Sequence, residues 1–457
     1  MRMTGLDVPS LVDPRTGLIR ALDRRHAANL PRALCYVQAD LGDTRQFCAW
    51  PSDPTAAGCV WWDESAAQRA AIGEAAERYC GNLVPAGLRR ASYAELIDAG
   101  EAAIDPAEVA GYSERQYQQP GFPFVRWTAD LPLHWVCGRD VASGERILVP
   151  AALVYVTYHE SAVTRREARC WGTPYAGVAA GSSRERAIEA AIEELIERDT
   201  VTLHWLRGET LTPLVVPSWL RALVNESAEA VEASLYWFTN AFDLPVIGAV
   251  VLNRATGHVT LGTAARASAT AAALKALAEA FQLHLLLREL DDPQSDLMTL
   301  AARTPGHPLK PWDAGRRYRA CYRPDWTDAT DLLCHMQLYL DPSMHHCVTD
   351  RLGTRPRVTL DAVDHEPGAT RTRRSHVDRL AQYGDRGGYR AGYRPIAIDL
   401  TTPDVASAGL HVVRVVAPGF IQNTPAALPR LGCPRLYKTA DSTLAESALY
   451  FAPPPYA

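Results

Sequence analysis

Three segments of this chain place acidic or amide side chains three residues apart among Ala, Ile and Leu. The pairs are Glu74 with Glu77, Glu194 with Glu197, and Glu279 with Gln282. Positions i and i+3 lie on one face of a helix, so each pair points the same way. A carboxylate in an apolar helix is costly unless something positive meets it. The recurrence therefore predicts three helices that turn their polar pairs toward one shared space.

A shared space of this kind suits a metal-bound polyphosphate. Mg²⁺ takes oxygen ligands and is often shared between carboxylates and phosphates. Carboxylates held close together are also expected to have raised pKa values, because like charges disfavour ionisation. The alternative is ordinary helix chemistry, in which Glu194 pairs with Arg198 one turn later for a few tenths of a kcal/mol. The occurrence of three such pairs favours the shared site.

The composition argues against several classes of protein. The chain has 457 residues, enough for a large core, and its net charge of -5 gives no positive field to recruit nucleic acid. The apolar run 147–156 is about half of a bilayer span, and the N-terminus has no apolar signal region. A cytoplasmic protein without membrane segments is therefore expected. The scattered cysteines form no C-x-x-C motif, which argues against a zinc knuckle.

Alternating helical and strand patterns predict a mixed-sheet α/β domain. Helices are expected at 65–80, 184–204 and 268–290. Strands are expected at 34–39, 133–138, 147–158, 245–252, 259–262, 395–400 and 411–416. Residues 50–58 and 291–330 are expected to be loops. The Gly- and Ser-rich segment 172–183 precedes the second helix, where it either presents N–H groups to an anion or simply opens the helix.

Four segments in this order resemble the YcaO family, ATP-dependent enzymes that modify backbone amides of ribosomally made peptides. They are residues 70–80, 177–199, 272–284 and 411–420, and the second is the most specific. The resemblance implies an α/β fold with YcaO-like mixed sheets and packed helices that form an ATP/Mg pocket, within a domain spanning 31–457. Residues 1–30 would be an N-terminal arm, 341–392 a loop-rich insertion and 451–457 a Pro-rich tail.

The resemblance also assigns roles by position. The implied metal ligands are Glu74, Glu77, Glu194 and Glu197. The implied nucleotide-binding residues are Ser182, Arg198, Glu279, Gln282 and Arg414. A terminal carboxylate on Ala457 would reach the catalytic centre, as in azoline-forming members with Pro-rich tails. The implied cofactors are ATP and Mg²⁺, and the implied reaction is cyclodehydration of Cys, Ser or Thr to azolines. Thioamide or amidine formation stays open.

Several positions depart from the family pattern. Gly-Cys-Val at 58–60 stands where Gly-Lys-Gly is common, so a phosphate-binding lysine is missing. Ala70 replaces a serine, Ser182 an asparagine and Arg186 a glutamate, and Ala457 stands where the tail motif has its last proline. These departures leave two functions open. One is a divergent active enzyme, and the other is a non-catalytic scaffold that binds peptide or an active partner subunit.

The expected partners also follow from the resemblance. No leader-peptide-binding domain is evident at the start of this sequence, and stand-alone family members of this kind act with a partner protein that grips the leader. We therefore expect a precursor peptide and a leader-peptide-binding partner protein, with a homodimer also open.

Overall fold

Over the residues that it describes, the computed structural model of this chain has three antiparallel sheets joined by long helices, which confirms the mixed α/β class. The residues that it describes are 8–25, 30–46, 53–161, 164–226, 231–353, 357–365, 394–439 and 443–456. Of the expected insertion 341–392, residues 354–356 and 366–392 lie outside this set.

The first sheet has three antiparallel strands. They are, in spatial order, β1 (Ile19–Arg25), β2 (Leu34–Leu41) and β3 (Thr55–Trp61). Buried and partly exposed residues alternate along most of β2, as in a strand with one face on the core. Part of the expected N-terminal arm is therefore the edge strand β1, and β3 forms the opposite edge.

The second sheet brings together strands from both ends of the chain. Its members are β4 (Arg89–Ala91), β5 (Leu133–Asp140), β6 (Arg146–Pro150), β7 (Val178–Gly181), β12 (Ile396–Asp399) and β13 (His411–Val416). The order is β4-β5-β12-β13-β7, with β6 also paired to β5, so β7 is an edge strand. The late strands β12 and β13 complete this sheet at its centre.

The third sheet is the most apolar. Its members are β8 (Thr212–Pro213), β9 (Val231–Phe238), β10 (Val246–Asn253) and β11 (Val259–Ala265), in the order β11-β10-β9-β8. All residues of β11 and nearly all of β10 are buried, as in strands covered on both faces. β11 is an edge strand of this sheet.

Three long helices carry the polar pairs predicted from the sequence. They are α1 (Glu64–Asn82), α4 (Arg184–Arg207) and α6 (Ala269–Asp291). Each begins after an Asp or Ser whose side chain accepts a first-turn N–H, namely Asp63, Ser183 and Ser268. The shorter helices are α2 (Tyr93–Asp98), α3 (Glu114–Tyr117), α5 (Ser218–Val224), α7 (Asp296–Arg303), α8 (Tyr318–Cys321), α9 (Leu332–Leu338), α10 (His346–Thr349), α11 (Leu360–Asp364) and α12 (Pro403–Ser407).

Each long helix is shared by two sheets. α1 packs on β3 and β7, α4 on β7 and β11, and α6 on β11 and β3. Since β3, β7 and β11 are all edge strands, three open sheet edges and three helices alternate around one region. This arrangement lets side chains far apart in sequence meet there.

Two strand glycines permit the close approach of helix to strand. A Cβ on Gly58 of β3 would lie 1.9 Å from the Ala67 carbonyl oxygen of α1. A Cβ on Gly262 of β11 would lie 2.1 Å from the Ala276 carbonyl oxygen of α6. Neither site has room for a side chain, so glycine is required by close packing at both.

The expected helices and most expected strands are confirmed with small shifts at their ends, but three expectations are wrong. Residues 50–58 include the start of β3, whose small residues give little strand signal because α1 leaves no room for larger ones. The stretch 291–330 contains the helices α7 and α8. The strand expected at 147–158 ends at Pro150, where a 3-10 turn begins.

α6 is the one helix in the described part of the chain that is long and apolar enough to cross a membrane. Half of its most apolar window is buried, and the helix packs on β10 and β11. Buried core helices pass the same test of length and composition.

Candidate functional site

The two glutamates of α1 reach two different strand edges. Glu77 Oε1 accepts the Ala180 N–H of β7 at 2.7 Å. Glu74 Oε2 accepts the Ala57 N–H of β3 at 3.0 Å, and its other oxygen accepts from Arg78 of the same helix at 2.7 Å. Glu74 thus combines ordinary helix pairing with a contact to the sheet, whereas Glu77 faces the shared region.

The two glutamates of α4 also reach two different strand edges, those of β7 and β11. Glu194 Oε2 accepts the Gly177 N–H, just before β7, at 2.9 Å. Glu197 accepts the Thr263 hydroxyl at 2.6 Å and the Ala265 N–H at 3.3 Å, both on β11. Glu197 is only 4% exposed, so these hydrogen bonds offset part of the cost of burying its carboxylate.

Carboxylates therefore cover the open edges of all three sheets. The strand at the edge of a sheet leaves alternate N–H groups without a partner strand. On β3, β7 and β11 such donors bond to glutamate oxygens, and hydrogen bonds to a charged acceptor are stronger than neutral ones. The edges fix where these carboxylates lie.

α6 contributes a carboxylate together with a cation. The Lys275 ammonium lies 3.2 Å from Glu279 Oε1, one turn later, and both side chains remain partly exposed. Gln282 is partly buried one turn beyond Glu279. Within the described ranges no hydrogen bond connects Gln282 to the five carboxylates. The structure therefore brings Glu279 to the site and, among the described residues, leaves Gln282 without a hydrogen bond to these carboxylates.

Electrostatic interactions link the carboxylates of the three helices. Burial raises the pKa of Glu77 to about 8, and the charges of Glu74 and Glu194 add to the effect. Burial also raises the pKa of Glu197 to about 7 and raises that of Glu194, with Glu279 adding to both. The expected direction is confirmed for these three carboxylates. The larger cause is loss of solvent rather than mutual repulsion.

Arg198 is the cation at the centre of the site. Its Nε lies 3.7 Å from Glu197 Oε1. Burial acts to lower the pKa of Arg198, but the nearby carboxylates of Glu197, Glu279 and Glu194 outweigh burial and raise it. A guanidinium carries five N–H donors, so Arg198 can pair with a carboxylate and still donate to an anionic ligand.

Arg414 lies near Glu194 but uses its donors on the backbone. It is fully buried on β13 and donates to the carbonyls of Val154 at 2.9 Å, Pro174 at 2.7 Å and Ala176. Burial lowers its pKa to about 10, while Glu194 opposes this shift. Arg414 therefore holds the turn that leads into β7.

Ser182 and Arg186 lie at the start of α4, and in the described part of the chain neither forms a hydrogen bond or ion pair with the five carboxylates. Ser182 is exposed in the bend after β7, and Ser183 caps the helix by accepting the Arg186 N–H at 3.3 Å. The Arg186 side chain is 70% exposed and pairs with Glu189 at 3.1 Å. The segment before α4 thus serves as a helix cap in this structure.

The Pro-rich tail enters the same region. Three of its carbonyls accept hydrogen bonds. The Trp205 indole N–H donates to Ala452 at 2.6 Å, the Tyr339 hydroxyl to Pro453 at 2.8 Å and the Leu261 N–H to Pro455 at 3.0 Å. Leu261 is on β11, so the tail covers part of that open edge. Tyr456 is buried, and burial raises its pKa to about 12 against the opposing charge of Arg198. Ala457, the expected source of a terminal carboxylate, lies outside the described residues.

The donor chemistry of the site fits Mg²⁺ and a polyphosphate. Its anionic groups are carboxylates, and Mg²⁺ prefers oxygen over nitrogen or sulfur ligands. In the described part of the chain, no three His, Cys, Asp or Glu side chains form a group able to hold a metal ion. Mg²⁺ usually keeps several waters and takes further oxygens from substrate phosphates, so the set would be completed by such ligands.

Three contributors were missed by the sequence analysis: Arg78, Lys275 and Thr263. Arg78 and Lys275 are each four residues from the glutamate that they pair with, a spacing that the sequence displays. Thr263 has no comparable signal, because its hydrogen bond to Glu197 joins residues 66 positions apart.

Comparisons with known proteins point to one family. A family model described as YcaO cyclodehydratase, ATP- and Mg²⁺-binding, matches residues 62–421. No curated protein matches the chain.

Solved structures with the same fold share little sequence identity with this chain. A heterocyclase in complex with substrate and cofactor has a TM-score of 0.68 at 21% identity, covering 99% of this chain and 57% of that chain. This chain therefore spans little more than half the length of that heterocyclase. The YcaO protein from Methanopyrus kandleri, bound with AMPPCP and Mg²⁺, has a TM-score of 0.58 at 16% identity, covering 89% and 90%. The E. coli microcin synthetase McbBCD complex with pro-MccB17 bound has a TM-score of 0.56 at 13% identity, covering 95% and 96%.

Proposed function

This chain belongs to the YcaO family, and we propose that it uses ATP and Mg²⁺ to convert Cys, Ser or Thr residues of a ribosomally made peptide into azolines. YcaO cyclodehydratases bind ATP and Mg²⁺. One observation supports the proposal most directly: Glu77, Glu194 and Glu197, carried by two helices, lie at open strand edges and have raised pKa values. A bound cation would stabilise their charged forms.

The chemistry requires an amide oxygen to leave, and an amide oxygen is a very poor leaving group. Bound Mg·ATP would supply the phosphoryl group that lets this oxygen depart as phosphate. The nucleophile is the thiol or hydroxyl of the peptide, which bonds to the carbonyl carbon of the preceding residue. Per ring, the peptide loses the elements of one water, and ATP becomes ADP and phosphate.

The residues of the chain would bind and orient these groups. Glu77, Glu194 and Glu197 offer carboxylate oxygens for Mg²⁺, and Arg198 offers forked donors for phosphate oxygens. Arg414 keeps the turn before β7 in place through three backbone carbonyls. Catalysis of this kind relies on positioned charges rather than on a nucleophile from the enzyme.

We further propose that a precursor peptide and a leader-binding protein act with this chain. The fold likeness to the microcin synthetase complex with pro-MccB17 bound supports an assembly that contains a peptide.

Equilibrium binding of Mg·ATP to the full chain is the first test. We expect Glu197→Gln to weaken binding about 10-fold or more, because it removes a charged oxygen ligand from a buried position. Glu189→Gln is the matched control, since Glu189 lies on the exposed face of the same helix and pairs only with Arg186 among the residues described. Equal losses in the two variants would contradict a Mg·ATP site at Glu197.

The second test is the reaction itself. We would incubate the full chain with a precursor peptide, its leader-binding protein and Mg·ATP, and measure the mass of the peptide by mass spectrometry. Loss of one water mass per modified Cys, Ser or Thr is expected. A folded, partner-bound chain that binds no nucleotide and leaves the peptide intact would overturn the proposed enzymatic function. It would favour the alternative of a non-catalytic scaffold.

A further inference from the structure

A cavity lies beside the candidate site, along the same helix. Its walls are the second half of α4, the segment 423–429, His335 of α9 and the Pro-rich tail. Its empty volume, including its mouth, is about 400 Å³, which is within the range of small-ligand pockets. Thr202 and Trp205 line it, and both lie on the same face of α4 as Arg198. The cavity therefore continues the face of α4 that carries the candidate site.

Tyr456 separates the cavity from the carboxylates. It is buried, it lines the cavity, and its pKa responds to the charges of Arg198 and Glu197. Hydrogen bonds hold the neighbouring walls, from the Trp205 indole to the Ala452 carbonyl at 2.6 Å and from the Ala426 N–H to His335 Nε2 at 2.9 Å. The cavity is thus preformed and adjoins the candidate site.

The lining of the cavity is apolar and carries no charge. Most of its apolar surface comes from aromatic and proline rings, namely Trp205, Pro425, Pro429, Phe451, Pro453 and Pro454. Among the described residues that line it there is no Asp, Glu, Lys or Arg. Burial lowers the pKa of His335 to about 4, so this side chain is uncharged at neutral pH. A phosphate or a charged side chain would leave water here without a counter-charge, so the cavity suits a neutral group.

One buried acceptor in the wall has no donor. Asn423 is 6% exposed, and its Oδ1 accepts no hydrogen bond from any residue that the structure describes. A buried carbonyl oxygen without a donor is costly, so a ligand that brings an N–H group is favoured. A peptide segment offers both a backbone N–H and an apolar side chain.

The position of the cavity along α4 also suits a peptide. A helix rises about 1.5 Å per residue, so Trp205 lies about 10 Å beyond Arg198 along the axis. About three residues of extended chain span the same distance. A peptide whose reacting amide lies near Arg198 can therefore place a more distant side chain beside Trp205.

We propose that the cavity binds an apolar side chain of the peptide substrate, about three residues from the Cys, Ser or Thr that is cyclised. Asn423 Oδ1 accepts a backbone N–H of the same segment. The inference rests on the proposed function. It makes the cavity a determinant of which residues of a precursor peptide are modified.

Photo-crosslinking to the unaltered full chain, without nucleotide, tests this assignment. Two N-acetylated peptide amides carry a diazirine analogue of leucine at that separation from a cysteine, on its N-terminal side in one probe and on its C-terminal side in the other. After irradiation, mass spectrometry is expected to place the crosslink of one probe within 423–429 or 451–456. Crosslinks of both probes that are spread over the surface would overturn the proposal.

Competition between unlabelled peptides tests the apolar character of the cavity. A peptide with leucine at the probe position is expected to compete about 10-fold better than one with aspartate, because burial of an apolar side chain drives its binding. Equal competition by the two peptides would contradict the assignment.

A cavity-filling variant locates the bound side chain. Ala426→Phe is expected to lower crosslinking about 10-fold or more, because the new ring occupies the space of the peptide side chain. Ala427→Phe is the matched control, since it adds the same ring at the next residue, which does not line the cavity. Similar losses in the two variants would overturn the proposal. The crosslink map of the unaltered chain decides the question if Ala426→Phe does not fold.

Adenosine is the neutral competitor that distinguishes a peptide cavity from a site for the nucleotide base. Crosslinking is expected to be unchanged by adenosine, and its loss would overturn the assignment to a peptide side chain. The crosslinking needs no nucleotide. Its failure in a chain that binds Mg·ATP therefore overturns this inference alone, whereas absence of Mg·ATP binding overturns the proposed function.

Discussion

Glu77 accepts the backbone N–H of Ala180 at 2.7 Å, although 103 residues separate the two in sequence. The bond joins the middle of α1 to the open edge of β7. It holds a carboxylate with a pKa of about 8 beside Glu194 of α4. A strand edge that would otherwise be left without a partner thus fixes the position of a group proposed to bind Mg²⁺.

The metal-free protein is expected to lose stability as pH rises from about 4.5 to about 8. The folded protein holds the pKa of Glu77 at about 8 and that of Glu197 at about 7, above the ordinary value of 4.5. In this window the folded state binds more protons than the unfolded state, so the free energy of unfolding falls with increasing pH. Below about 4.5 both states are protonated, and the contribution no longer changes.

Thermal melts in a chelating buffer, taken across this pH range, measure the effect. Glu77→Gln is expected to flatten the decline, whereas Glu232→Gln on an exposed ion pair should leave it unchanged. A Glu77→Gln profile parallel to that of the unaltered protein would show that Glu77 does not titrate in this window.

Gly58→Ala is expected to destabilise the protein by about 2 kcal/mol or more, because its Cβ would overlap the backbone of α1. Gly73→Ala, within α1, is the matched comparison. Its Cβ would meet only Ala180 Cβ at 3.7 Å, so the better helix propensity of alanine should stabilise by up to about 1 kcal/mol. Denaturant unfolding of both variants measures the contrast, and effects of the same sign would refute the close-packing argument.

Asp199→Ala is expected to cost about 3–5 kcal/mol of stability, because it leaves Arg435 buried without its carboxylate. Asp199 is fully buried, accepts from both terminal nitrogens of Arg435 and also accepts the Ile421 N–H at 2.9 Å. Glu232→Ala breaks an exposed pair with Arg254 and should cost far less stability than Asp199→Ala. Comparable losses from the two variants, measured by denaturant unfolding, would contradict a special role for burial.

Tyr339→Phe is expected to loosen the Pro-rich tail. It removes the hydroxyl that donates to the Pro453 carbonyl. Two residues further along the tail, the Pro455 carbonyl accepts the Leu261 N–H. Loss of one buried hydrogen bond, about 1 kcal/mol, should speed exchange of the Leu261 amide about 5-fold. Tyr322→Phe removes a similar buried hydroxyl, bonded to Gln337 at 2.7 Å, and should leave that amide unchanged. Equal exchange at Leu261 in both variants would show that the hydroxyl of Tyr339 does not hold the tail.

Much of the scaffold could be predicted because its signals are local. The three long helices and the late strands are confirmed close to their expected ends. The start of β3 could not be predicted, because its alanines and glycine reflect the helix packed above it rather than strand propensity. The roles of individual site residues remain predictions, to be decided by the binding experiments.

The sequence by itself determined which side chains lie on the same face of each helix, because residues i and i+3 are on one face of any α-helix. Only the tertiary structure decided what those side chains meet. The contacts of Glu77 with Ala180 and of Glu197 with Thr263 depend on the order of strands in two sheets, which no local period encodes. The same packing commits Arg414 to backbone carbonyls. These contacts arise from long-range packing, because hydrogen bonds and charges act through space rather than along the chain.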